Sequence, residues 1–198
     1  MRDITKAVKI AIDIAKDNSH GYDQENREGP DYDCSSFIAH CLHEAGFNVA
    51  TDSWTGNLYN QLTANGFKEV HTDLRVLGDI FLTPQHHVIM CIDDKSIVHA
   101  SGNEKGRTTG GKTGDQTGKE ICVRSFYTPS YGWAYHLRYL PPENQEEYEH
   151  SYYAPKLIED IIAGKYGVYP ERAEKIKAMG LDYDTVQYLV NRTIKENA

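Results

Sequence analysis

With 198 residues, 39% of them hydrophobic and 25% charged, the chain has the composition of an ordinary globular protein with room for one well-buried domain and a small appendage. Its formal net charge of -8, interrupted by no Lys/Arg stripe, argues against nucleic acid as a partner. The four cysteines, Cys34, Cys41, Cys91 and Cys122, lack CxxC spacing and are too few for a disulfide framework, which points to free thiols in a reducing compartment.

The chain opens on MRDITKAVKIAIDIAKDN, where charges recur every three or four residues. No apolar run is left to serve as a signal peptide or membrane span. Ile4, Ala7, Val8, Ala11, Ile14 and Ala15 share one stripe of a helix predicted to run to about Asp17. The turn-rich loop SHGYDQENREGPDYD follows. In CSSFIAHCLHEAGF, Cys34, Phe37, Ile38, Cys41, Leu42 and Ala45 share a face, Gly46 is the stop and Asp33 the N-cap, so Cys34 falls in the first turn of a helix.

A further helix is expected near Asn57 to Asn65, after which the pattern changes to period two. LGDIFLT, HHVIMCID, SIVHAS, EICVRSF and WAYHLRYL read as strands. Helices first and antiparallel strands afterwards predict an α+β domain with helices packed on one face of a sheet. The segment SGNEKGRTTGGKTGDQTGKE is too long for a hairpin turn and is expected to face substrate. Beyond a linker, PPENQEEYEHSYYAP, the segments LIEDIIAGKYG, PERAEKIKAMG and DYDTVQYLVNRTI predict three short helices with a thin core. The expected divisions are 1–140, 141–154 and 155–198.

A cysteine attacks as the thiolate, which a helix N-terminus and a neighbouring imidazole both favour. Cys34 has the helix terminus by position, whereas Cys41, Cys91 and Cys122 lie within apolar stretches and read as buried structural thiols. His86, His87 and His99 are the partner candidates. A three-residue loop of Asp93 to Lys95 sets Ile92 opposite Ser96 and His99 opposite Ile89. His87 and His99 then become diagonal neighbours on one face, and His86 points away. Nothing in the chain has HExxH-type ligand spacing, so neither a metal nor another cofactor is expected.

These residues bring a resemblance into view. DCSSF, LGDIFL, HHVIMCI and IVHAS, in that order, resemble the NlpC-type peptidoglycan cysteine peptidases, relatives of papain and of CHAP amidases; REGPDYDCSS and TGGKTGDQTGKE resemble the phage endolysin branch. The resemblance covers about residues 1 to 139. It implies a papain-like fold in which Cys34 is the nucleophile, His87 the base and His99 its orienting partner, with Tyr22 and Ser35 at the oxyanion and substrate side. It departs at Ser36 and Ile89, where the common relatives have Gly, and both changes are expected to narrow the substrate cleft. The C-terminal run is similar to the Cpl-seven-type wall-binding repeat of phage lysozymes, which implies a three-helix bundle recognising muropeptide, with Arg172, Tyr166 and Tyr183 as binding residues. Basic and acidic residues balance from Pro155 onward, so the excess negative charge falls on the preceding part.

The implied activity is hydrolysis of an amide in the peptide stem of peptidoglycan. A γ-D-glutamyl endopeptidase and an N-acetylmuramoyl-L-alanine amidase both fit, and oligomeric state stays open. A catalytically silent wall-binding protein is the alternative, against which the intact set of Cys34, His87 and His99 argues. The expected route is synthesis in the cytoplasm and action on the cell wall after release, without membrane insertion.

Overall fold

In the computed structural model the described residues are 2–141, 155–178, 183, 186, 187, 190, 191 and 194. The chain divides into two compact units, Met1–Tyr139 and Leu140–Ala198.

The first unit is α+β. Three helices, α1 (Ile4–Lys16), α2 (Cys34–Glu44) and α3 (Thr55–Ala64), precede strands β1 (Phe67–Glu69), β2 (Ile80–Thr83), β3 (His87–Cys91), β4 (Ser96–Ala100), β5 (Ile121–Ser125) and β6 (Tyr135–Tyr139). The strands form one six-stranded sheet in the order β1-β6-β2-β3-β4-β5, and every pairing is antiparallel. β1 was not expected: three residues are too few to display an alternation. β3 and β4 pair with Met90 opposite Val98 and Cys91 opposite Ile97, the register that the three-residue loop requires.

Burial follows the apolar spacing. Ala7, Val8, Ala11 and Ile14 of α1 and Phe37, Ile38, Cys41 and Leu42 of α2 pack with Ile80, Leu82, Val88, Met90, Val98 and Leu137 from one face of the sheet. The opposite face carries a smaller cluster of Phe81, Ile89, Cys91 and Ile97, covered by Phe126, Tyr127 and Trp133 from the segment before β6. In α2 burial goes beyond the apolar stripe, since Ser35 and Ser36 are also buried.

Asp79, at the start of β2, is fully buried. It accepts from His136 Nε2 at 2.8 Å and from Nε and Nη2 of Arg138, each at 2.7 Å. Burial works against its negative charge, yet the hydrogen bonds from Arg138 and His136 hold the carboxyl below its usual range. The cluster fastens β6 to β2.

The Gly-rich segment, expected to face substrate, contributes no residue to the lining of the cleft that holds Cys34. Thr108 O accepts from Gln24 N at 2.9 Å, Asp115 N donates to Asn18 O at 2.9 Å, and Gly114 N donates to Asp31 Oδ1 at 2.9 Å, so this loop braces the chain that leads into α2.

In the second unit α4 (Pro155–Ile162) and α5 (Glu171–Ala178) are helical, as are Tyr183, Val186, Gln187, Val190, Asn191 and Ile194. Leu157, Ile161, Ile176, Val186 and Val190 make its core. Residues 142–154, most of the expected linker, and Gly180 and Asp182 of the expected helical segments lie outside the described residues.

Replacing Asp79 with Ala leaves Arg138 and His136 buried without their shared acceptor. It is expected to cost about 3 to 5 kcal/mol, read as a lower denaturant midpoint in chemical unfolding.

Candidate active site

Asp33 determines where Cys34 sits. Its Oδ1 accepts from the amides of Ser35 and Ser36 at 2.9 and 2.7 Å, while Ser36 Oγ accepts from Asp33 N at 3.0 Å, completing a capping box at the start of α2. Ser36 is therefore engaged in the cap, and Ile89 is buried in the far cluster. Neither residue is among those that line the cleft at Cys34.

Arg27 reaches the same carboxylate, with Nη1 2.6 Å from Asp33 Oδ2, and also donates to Ser35 Oγ at 3.3 Å, to Ser53 O at 3.1 Å and to Asp52 O. One guanidinium thus joins the loop before α2, the cap itself and the loop before α3. It was missed from sequence; the available signal was a single cation six residues before the capping acid in an otherwise acidic loop.

Cys34 is 6% exposed and forms part of the floor of an open cleft of about 660 Å³. Ser35, Gln24 and Arg27 line the same cleft, with Trp54 from the start of α3 and Gln85 and His86 from the β2–β3 turn. Burial, then the Asp33 charge, push the Cys34 thiol up to about 12, against the amides of Val88, Ser35 and Cys34, which favour the thiolate. Desolvation therefore outweighs the helix terminus that was expected to lower it. The Val88 amide lies beside the Cys34 sulfur, and His87 is the residue that precedes Val88 in the chain.

His87 Nε2 lies 3.0 Å from His99 Nδ1. Trp133 lies nearly parallel to the His87 ring, with centroids 6.2 Å apart, and Tyr127 meets His99 edge-on at 5.9 Å. Burial lowers His87 to about 4, partly opposed by Asp33. Burial, then the His87 charge, lower His99 to about 3. His86 is exposed and stacks on Tyr131 at 4.6 Å. Tyr22 is buried; its amide donates to Glu120 Oε2 at 3.1 Å and its hydroxyl accepts from Gln24 Nε2 at 3.1 Å. Burial and the adjacent Cys34 sulfur push its phenol upward.

Cys41 and Cys91 are fully buried, and burial raises both thiols. Cys122, expected to be buried, is half-exposed on β5, where it faces His99 across the strands. Among the described residues no group of three His, Cys, Asp or Glu side chains is placed to hold a metal ion.

In the second unit, Arg172 Nε and Nη2 donate to Gly167 O at 3.0 and 2.8 Å, and its Nη1 donates to Gln187 Oε1 at 3.1 Å, an oxygen that also accepts from Tyr183 OH at 3.3 Å. Tyr166 packs partly buried against the core. The polar groups of Arg172 and Tyr183 thus tie the unit internally, while Val168 and Tyr169 stand 71% and 72% exposed.

Residues 97–149 match the endolysin-like domain, and residues 156–194 match the CW_7 repeat. The pair of matches supports a phage cell-wall lytic protein. The first spans β4 to β6 and includes His99; the second, a cell-wall-binding repeat, covers α4, α5 and the helical residues after them. No curated protein matches the chain. No helix among the described residues is long and apolar enough to cross a membrane.

His87 and His99 are held neutral by burial, so the unfolded chain takes up more protons than the folded one once pH falls below the ordinary imidazole value of 6.5. Their contribution to stability is intact above pH 6.5 and is lost as pH falls toward about 4. Unfolding midpoints measured from pH 7.5 to 4 should fall across that window, and His99→Gln should flatten the decline.

Proposed function

We propose that the first unit is a papain-like, NlpC-type cysteine hydrolase cleaving an amide in the peptide stem of peptidoglycan, and that the second, as a three-helix bundle, anchors it to the wall. What supports this is a cleft-lining thiol at a capped helix terminus, with the amide of Val88 beside its sulfur, and a linked His87–His99 pair that begins at the residue before Val88.

His87 Nε2 and His99 Nδ1 share a proton across 3.0 Å, and in this mechanism His87 carries it while His99 accepts. His87 Nδ1 is then the basic nitrogen toward Cys34. With the thiol pushed up and the imidazole pushed down, the resting pair is neutral, so the proton moves from sulfur to Nδ1 as the sulfur attacks the amide carbonyl. Asp33 engages the amides of Ser35 and Ser36, which leaves the Cys34 amide as the first-turn donor for the developing oxyanion, with Tyr22 beside it. Imidazolium at His87 then protonates the leaving amine, and water releases the acyl group from sulfur as a carboxylate. His99 holds the His87 ring throughout.

Cys34→Ala should abolish lysis of susceptible walls, measured as loss of turbidity, while Cys41→Ala stays within severalfold. Equal loss from both at equal folded content would overturn the assignment. Iodoacetamide should inactivate the protein and EDTA should leave activity intact.

The anchoring role rests on the CW_7 match. Since the charge balance of the repeat offers no general attraction to an anionic wall, binding must come from specific contacts. A chain ending near Leu140 should therefore lose binding to purified sacculi, with its lytic rate falling mainly at low enzyme concentration, while keeping its rate on a soluble muropeptide. Unchanged sacculus binding would refute the anchor.

A further inference from the structure

The lining of the cleft includes side chains whose chemistry the cysteine mechanism does not use. Trp54 lines the cleft with 49% of its surface exposed, a large apolar side chain in a position that costs solubility without contributing to the core. It is also fixed in place. Its indole lies over Gly56, where any side chain would collide with the ring, and its amide donates to Asn57 Oδ1 at 3.0 Å. His86, also in the lining, stacks on Tyr131. The residue before it, Gln85, lines the cleft as well and is the one non-glycine with a positive φ, 63°, among the described residues. That left-handed conformation is strained for a residue with a Cβ, and its occurrence at a cleft-lining amide fits a functional constraint.

Electrostatics separates the two classes of substrate. A γ-D-glutamyl endopeptidase must accommodate the α-carboxylate beside its scissile bond. The one Lys or Arg lining the cleft is Arg27, and its charge is already met by Asp33 at 2.6 Å and by backbone carbonyls. A rigid aromatic plane with a neighbouring amide suits a neutral amino-sugar ring. Its axial C–H groups carry partial positive charge and pack on the negative π-face, while its hydroxyl and acetamido groups exchange hydrogen bonds with an amide side chain.

We infer that the Trp54–Gln85 wall is a subsite for the N-acetylated sugar of the glycan strand, so that the bond presented to Cys34 is the one joining the lactyl group of the sugar to the stem peptide. This rests on the hydrolase reading above and deepens it. Cys34 sulfur adds to the lactyl carbonyl, the C–N bond breaks, and the thiol proton passes through His87 to the amine of the departing peptide. Water then cleaves the thioester to a muramoyl carboxylate and regenerates the thiol.

Two measurements on the full chain test it. Mass spectrometry of a soluble disaccharide-tetrapeptide should show intact disaccharide and intact tetrapeptide as products, with no turnover of the tetrapeptide alone. Trp54→Ala should lower kcat/KM by about tenfold through KM, and Trp54→Phe should largely restore it. Formation of disaccharide-L-alanyl-D-glutamate with release of the remaining dipeptide, or kcat/KM unchanged in Trp54→Ala, would overturn the subsite.

Equilibrium binding separates this from failure of the hydrolase reading. Both tryptophans, Trp54 and Trp133, lie in the first unit, so tryptophan fluorescence reads the cleft independently of the wall-binding repeat. In Cys34→Ala protein the sugar-only disaccharide should change that fluorescence saturably, and the free tetrapeptide should not. Cys34→Ala/Trp54→Ala should lose the response, with Trp133 reporting that the domain stays folded. No response to disaccharide, or an equal response to tetrapeptide, would overturn the subsite whether or not Cys34 turns over substrate.

Discussion

The carboxylate of Asp33 is the constraint on which the site depends. One oxygen closes the first turn of α2 and the other holds Arg27, which in turn ties the loops before α2 and α3. The position of Cys34, the direction of its amide and the width of the cleft all follow from that single acid. It also carries a cost, because its charge opposes the thiolate at Cys34 and favours imidazolium at His87. Pairing with Arg27 offsets that field while leaving the cap intact.

Where periodicity or loop length carries information, the chain was readable. The α1 stripe, the cap at Asp33 and the β3–β4 register follow from residue types and spacing, and the register alone brings His87 beside His99. What was not readable depends on three-dimensional enclosure. The helix terminus at Cys34 suggested an acidified thiol, but the extent of burial sets its protonation, and spacing says nothing about depth. Ser36 and Ile89 lie near the site in sequence, yet Ser36 turns into the cap and Ile89 is buried beneath the aromatic cover that it shares with the histidines, so neither lines the cleft at Cys34. Arg27 acts through contacts with residues up to 26 positions away, which no local pattern encodes.

A neutral cysteine–histidine pair has a chemical consequence distinct from that of a preformed ion pair. A buried, protonated thiol is less open to adventitious oxidants than a standing thiolate, and under the proposed mechanism its reactivity emerges when a substrate carbonyl receives it. The aromatic cover of Trp133 and Tyr127 over the histidines serves the same end by keeping both rings in a low-polarity setting.

The Gly-rich segment before β5 looks like the place to cut, splice or lengthen the protein, because glycines and threonines there suggest slack. The bond from Gly114 to Asp31 says otherwise: it joins residues 83 positions apart and ends on the Asp31 carboxylate, two residues before the capping acid. Glu120, at the end of the same loop, receives the Tyr22 amide. Anyone recombining such modules should treat this stretch as part of the frame around the thiol and make exchanges after Tyr139, where the first compact unit ends.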